Sequence, residues 1–236
     1  MLLKKWEELP KELQISEVKP YYDVLAKKKA GLLFKRIFDI AVSLIMLIIL
    51  SPVFLILAVA IKLDSEGPVF YRQKRITQYG KEFRIFKFRT MVQNADKIGS
   101  LVTVGGDSRI TRVGKLIRKC RLDEICQLID VLRGTMTFVG TRPEVEKYLA
   151  AYTPEMLATL LLPAGITSLA SIMYKDEDEI LQGAEDTDKA YVETCLPGKM
   201  KYNLQAIKKF GFFYDIKIMF MTVFAVLGKE YKDEEL

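Results

Sequence analysis

Between Asp39 and Lys62 the chain carries 22 consecutive uncharged, mostly apolar residues, Ile40 to Ile61, with Ser51-Pro52 near the middle. A straight helix of that length would be about 33 Å long, enough to cross the hydrocarbon core of a bilayer. The charges around it argue against a simple crossing. Lys27, Lys28, Lys29, Lys35 and Arg36 precede the run, and Lys62, Arg72, Lys74 and Arg75 follow it. Basic flanks favour the cytoplasmic side, and one crossing cannot place both there. Pro52 lacks an N–H and its ring presses on the carbonyl of Ile48, while the Ser51 hydroxyl can fold back onto a carbonyl one turn earlier. The pattern predicts a re-entrant helix-break-helix hairpin that turns at Ser51-Pro52 and leaves by the face it entered, each arm about 15 Å long. A single-pass helix kinked at Pro52 is the alternative. A secretory leader is not expected, because 39 residues precede the run and no small-residue cleavage site follows it.

The remainder of the 236 residues suffices for one compact domain. The natural division is an amphipathic or mobile lead-in over 1–33, the hairpin over 34–63, and a cytosolic domain over 64–236. A net charge of +6 suits an anionic membrane surface or a phosphorylated ligand. A nucleic-acid partner is not expected, since the arginines are scattered and no recognition motif is present. Three cysteines, Cys120, Cys126 and Cys195, show no zinc spacing, and their odd number argues against a disulfide framework. The absence of histidine removes the commonest general base, so any catalysis rests on carboxylates, cations or hydroxyls, with a hard metal the natural assistant.

The local patterns predict an α+β fold, predominantly helical. In the lead-in, Trp6, Leu9, Leu13 and Ile15 alternate with charges, which suits docking on lipid or an ordinary packed helix. After the Gly67-Pro68 turn, Val69–Arg72 and Phe83–Phe88 read as strands of a small antiparallel β-hairpin joined through Tyr79-Gly80. Residues 92–113, with Gly99, Gly105 and Gly106, read as a polar loop. Helical spacing of Ile117, Ile125, Leu128, Ile129 and Leu132 predicts one helix over 114–132 ended by Gly134, with Asp123 about 160° from Ile125. Further helices are expected over 144–161 and 176–195. From Tyr202 to Leu227 an apolar side suits a membrane-parallel helix or a core helix.

Asp123 and Glu124 lie among Arg118, Lys119 and Arg121. Adjacent carboxylates amid cations suit holding a divalent metal or attacking a phosphate, although acidic residues in a first helical turn commonly just complement the dipole. Three other clusters place cations beside Thr, Gly or Pro: Lys87–Met91, Asp107–Arg112 and Val139–Glu144. Stiff turns bearing guanidinium forks suit phosphate oxygens, and together they describe a site for a highly anionic ligand. The acidic stretch Asp176–Glu179 reads as solvated charge.

From Phe34 onward the chain resembles the bacterial sugar transferases, the monotopic polyprenyl-phosphate phosphoglycosyl transferases of small form. The resemblance rests on Lys35-Arg36 with Asp39, the Ser51-Pro52 run, Gly67–Arg75, Phe86–Met91, Arg109–Lys115, Leu122-Asp123-Glu124 with Gln127-Leu128, and Val139–Glu144. It implies transfer of a phosphosugar from a UDP-sugar to a polyprenyl phosphate with release of UMP, using Mg2+, at the cytoplasmic face of the bacterial inner membrane. Asp123 would be the nucleophile and Glu124 its partner, both also metal ligands. Substrate contacts fall to Lys87, Arg89, Thr111, Arg112, Arg118, Gln127, Arg142, Pro143 and Glu144. Direct attack by the lipid phosphate is the mechanistic alternative, and a membrane-anchored scaffold without turnover is the functional one. The chain departs from the family pattern at Ile125-Cys126, where Leu-Pro is usual, and at Thr135, Thr141 and Ser168. The identity of the sugar and the oligomeric state, monomer or homodimer, stay open.

Overall fold

The computed structural model describes residues 3–95, 107–181, 183–184 and 186–233, without the side chains of residues 178 and 179. It is an α+β arrangement dominated by helices. Short 3-10 turns at Trp6–Glu8 and Lys11–Leu13 lead into helix α1, Lys19–Ala26. Leu9, Leu13, Val18, Tyr21 and Leu25 are buried in one core with Ala158, Leu161, Leu204, Ile207 and Phe210. Of the two readings open for this segment, the structure shows packing within the fold, where burial consumes its apolar side.

Helix α2, Lys29–Asp64, carries the apolar run. Its backbone stays helical across Pro52, so the run forms one element rather than two separate helices. Ser51 Oγ donates to the Ile48 carbonyl at 2.8 Å, the acceptor that proline's missing N–H leaves free. Both ends of α2 are fastened to the rest of the chain. At one end Lys35 Nζ donates to the Val139 carbonyl at 2.9 Å and pairs with Asp215 at 2.5 Å. Arg36 there reaches the Val131 and Leu132 carbonyls, and Asp39 accepts from Thr137 Oγ1 at 2.7 Å. At the other end Asp64 accepts from the Val113 N–H at 2.9 Å. Between these anchors Leu44, Ile45, Ile48, Ile49, Leu55 and Ile56 are exposed. The most apolar stretch is only 6% buried, whereas the core helix of a soluble domain would be largely covered.

Strands β1, Phe70–Ile76, and β2, Glu82–Phe88, form the expected antiparallel hairpin, with Tyr71 opposite Lys87 and Arg75 opposite Phe83. Its turn holds Tyr79 and Gly80 at φ 61° and 72°. Phe83 and Ile85 enter a core with Leu128, Val131 and Met136, while Phe88 enters another with Ile61, Ile117 and Cys126. The single helix expected over 114–132 is instead two, α3 at Arg112–Lys119 and α4 at Gln127–Arg133. Arg121 takes a left-handed conformation, φ 51° and ψ 28°, and a 3-10 turn over Leu122–Glu124 follows. A left-handed residue redirects the chain, so the apolar stripe on either side belongs to two differently aimed helices. Gly134, at φ 84°, caps α4 as expected.

Strand β3, Met136–Val139, leads through the short helix α5, Glu146–Leu149, and a 3-10 stretch at Glu155–Leu161 to β4, Ala164–Thr167. One long helix was expected over 144–161. The two strands pair in parallel, a pairing that periodicity does not reveal because both are four-residue, nearly fully buried runs. Helix α6, Leu169–Met173, follows. In place of one helix over 176–195 come α7, Glu177–Ile180, α8, Thr187–Ala190, and a π-helical turn, Tyr191–Cys195. The apolar tail is likewise two helices, α9 at Leu196–Lys208 and α10 at Phe212–Val226. Helix α10 buries Asp215, Ile218 and Met221 and exposes Phe213, Phe220, Val223 and Phe224. It meets α2 through Phe212 and Phe38, whose ring centroids are 5.4 Å apart. Gly99, Gly105 and Gly106 of the expected loop lie outside the described residues.

Candidate active site

The Asp123-Glu124 pair owes its position to the break between α3 and α4. The 3-10 turn aims it at β2, from which Lys87 projects, and at the segment after β3, which supplies Arg142. Both cations converge on Glu124. Arg142 forks onto it, Nη2 to Oε1 at 2.6 Å and Nη1 to Oε2 at 3.3 Å, and Lys87 Nζ donates to Oε1 at 3.0 Å. Burial by itself raises the Glu124 pKa, but Arg142 and Lys87 outweigh it and hold the carboxyl well below the usual range. Glu124 is therefore a fixed anion, and Arg142, beside it, titrates above an ordinary arginine.

Asp123 has the opposite environment. Burial, and then the neighbouring charge of Glu124, raise its pKa, with Lys87 and Arg118 pulling the other way. It lines a cleft of about 410 Å³ whose walls include Tyr71, Gln73, Arg75, Lys87, Thr90, Met91 and Arg118. Arg118 Nε donates to Thr90 Oγ1 at 3.1 Å, which ties α3 to that wall. One carboxylate is thus neutralised and immobilised while its neighbour faces a roomy, cation-lined space.

The other residues singled out from the sequence divide. Lys87, Arg118 and Arg142 stand at the pair or its cleft. Arg89 borders the cleft, but its guanidinium donates to the Ser65 and Glu66 carbonyls at 2.6 and 2.8 Å, so it caps the C-terminal end of α2 rather than reaching for a ligand. Thr111 caps α3, accepting from the Gly114 N–H at 3.0 Å, and Arg112 is exposed at the start of that helix. Gln127 is buried at the start of α4. Pro143 accepts from Arg75 through its carbonyl at 3.2 Å, and Glu144 turns into a buried contact with Tyr191. Tyr71, Gln73 and Arg75 were missed as site residues. Their alternation along one strand put them on a single face, but with basic flanks on all sides Arg75 read as membrane-flanking charge. Among the described residues no group of three or more His, Cys, Asp or Glu comes together, so a metal here would rest on Asp123, Glu124 and the ligand's own oxygens.

Comparison with known proteins gives this geometry a context. The family model described as "Bacterial sugar transferase" matches residues 30–229. The chain is 35% identical over 196 residues to the UDP-N-acetylgalactosamine-undecaprenyl-phosphate N-acetylgalactosaminephosphotransferase of Aeromonas hydrophila, covering 82% of this chain and 43% of that protein. It is 37% identical over 201 residues to the UDP-glucose:undecaprenyl-phosphate glucose-1-phosphate transferase of Klebsiella pneumoniae, covering 82% of this chain and 40% of that one. The chain thus spans less than half the length of these two relatives. Against the uncharacterized sugar transferase EpsL of Bacillus subtilis, 32% identical, the match covers 84% of this chain and 90% of the relative. With the matched region running from α2 to the end of α10, this chain belongs to the bacterial sugar transferase family.

Proposed function

We propose that the protein transfers a phosphosugar from a UDP-sugar to a polyprenyl phosphate such as undecaprenyl phosphate, releasing UMP, as the first membrane step of a surface glycan. The observation that carries this reading is the division of labour in the dyad: Glu124 is clamped by Arg142 and Lys87 while Asp123 faces the cation-lined cleft. The names of the relatives support the donor and acceptor classes.

In this reading an Asp123 oxygen attacks the sugar-bearing phosphorus, the bond to the bridging oxygen breaks, and UMP departs with that electron pair. The lipid phosphate then attacks the same phosphorus and returns the carboxylate. Approach of like charges costs about 4 kcal/mol per pair at 4 Å in an effective dielectric near 20. Lys87, Arg118 and Arg75 line the cleft and offset that repulsion. Asp123, which opens on the cleft, would hold Mg2+ together with the diphosphate, and the ion would neutralise charge on the leaving group. Glu124 Oε2, the less tightly held oxygen of the clamped partner, could add to that set.

The membrane placement belongs to the same proposal. Helix α2 would bend at Ser51-Pro52, dipping into the cytoplasmic leaflet of the inner membrane and returning, with that bend deepest. Its fastening at both ends and its exposed middle support this, as do the exposed aromatics of α10. A cysteine at Ser51 or Val53 should resist an impermeant reagent added from the periplasmic side, and labelling there would indicate a full crossing. For the chemistry, full-length protein in membranes is incubated with a panel of UDP-sugars, Mg2+ and undecaprenyl phosphate. UMP release that disappears in Asp123→Ala, with a sugar-phosphate adduct on the Asp123 peptide, is expected. Release that survives Asp123→Ala removes the nucleophile assignment, and turnover without an adduct favours direct transfer. Nucleotide binding with no release from any UDP-sugar points to the scaffold.

A further inference from the structure

Behind the Arg142 fork lies a second set of buried ionic groups that the proposed chemistry does not use. Glu144 Oε1 accepts from the Tyr191 hydroxyl at 2.6 Å. Lys199 Nζ donates to that same hydroxyl at 3.1 Å and to Glu177 Oε2 at 2.7 Å. Glu144, Tyr191 and Lys199 are each more than nine-tenths buried. Tyr191 opens the π-helical turn, and Lys199 lies on α9, into which that turn runs. Such turns inside helices are uncommon and recur at functional positions. The Arg142-Pro143-Glu144 backbone is gripped from the other side by β1, where Arg75 donates to the Pro143 carbonyl and the Ile76 N–H donates to the Glu144 carbonyl at 3.0 Å.

Buried ion networks are weak contributors to net stability, because removing charges from water offsets most of their attraction. Apolar side chains would fill this space at less cost. What the network supplies is a defined position. It ties the segment that carries Arg142 to α7 and α9, two elements remote in sequence from the dyad. We propose that Glu144, Tyr191, Lys199 and Glu177 are positioning residues that hold the Arg142 segment in the register where its guanidinium forks onto Glu124, leaving Asp123 as the carboxylate open to phosphorus. This inference rests on the proposed transfer reaction.

The test is a cycle on full-length protein with Tyr191→Phe, which removes the hydroxyl and keeps the ring, against Arg142→Lys, which keeps the charge and removes the fork. Tyr191→Phe is expected to lower kcat for UMP release about tenfold, with KM for the UDP-sugar changed less than twofold, since sub-ångström misplacement of a catalytic group is felt mainly in the rate. In the Arg142→Lys background the same change should have almost no further effect. Lys199→Arg should retain more activity than Lys199→Met. Equal losses in both Arg142 backgrounds would show a general structural role and overturn the proposal. If the wild-type protein releases no UMP from any UDP-sugar, the reaction assignment has failed instead, and the network is judged on urea unfolding of the same variants. Non-additive midpoints for Tyr191→Phe with Arg142→Lys then support the mechanical link, and additive ones reject it.

Discussion

Asp123 and Glu124 are chemically near-identical neighbours, and what separates them is which cations each one meets. Glu124 has a forked arginine and a lysine, whereas Asp123 has burial and a cleft. Replacing Arg142 with Ala leaves Glu124 with Lys87 alone and should lower UMP release by about two orders of magnitude, the usual loss when an electrostatic group is removed from a reacting site. Steady-state kinetics check this. Arg89 makes the contrasting prediction. Its guanidinium satisfies carbonyls at the end of α2, so Arg89→Ala should destabilise the fold by about 2 to 3 kcal/mol, read by chemical denaturation. Affinity for UDP should change less than about threefold, in contrast to Lys87→Ala. In the sequence the two arginines look alike, each directly beside a threonine in a short segment singled out for phosphate. Only the neighbours that folding supplies tell the two apart.

At the scale of elements, α4 holds the strand that carries Lys87, and the β3–β4 pair holds the segment that carries Arg142. Asp130 on α4 is buried and accepts from the Phe86 N–H on β2 at 2.8 Å. Burial outweighs that bond and nearby Arg72 and Arg133, and pushes its pKa up to about 6 from an ordinary 3.8. The folded chain therefore binds more protons than the unfolded one between about pH 4 and 6, so this group's contribution falls as pH rises through that window. The loss is on the order of 3 kcal/mol. Asp130→Asn should gain stability relative to wild type at pH 7 but not at pH 4.5, as urea midpoints at the two values would show. Between β3 and β4, a Cβ on Gly165 would stand 2.2 Å from the Gly140 backbone. Gly165→Ala must part the strands and displace the Arg142 segment, at a cost of about 2 kcal/mol or more, measurable by thermal unfolding. The β1–β2 hairpin was legible from alternation and turn residues. The β3–β4 pair was not, because a short, fully buried strand carries no alternation.

For the whole molecule, the arrangement joins an exposed apolar helix to the candidate site. Helix α2 is bolted to β3 by Lys35 and Asp39 and to α4 by Arg36, and β3 leads into the segment that carries Arg142. The N-terminal segment completes the body from the other side. Removing residues 1–26 exposes Ala158, Leu161 and Phe210, and should abolish cooperative unfolding in detergent where a lipid-docking arm would leave it intact. A calorimetric scan of the truncated chain decides between these outcomes.

Local chemistry in the sequence determined the apolar run with its basic flanks, the hairpin, the Gly134 cap and the dyad among cations, since each is set by residues close in the chain. Tertiary structure alone decided that α2 stays helical through Pro52, that a left-handed Arg121 splits one expected helix into two, and that the lead-in is core. It also assigned the arginines their different tasks. A guanidinium's role depends on which carbonyl or carboxylate reaches it first, and those partners come from positions as far apart as Glu66 and Glu124, which only folding brings to Arg89 and Arg142.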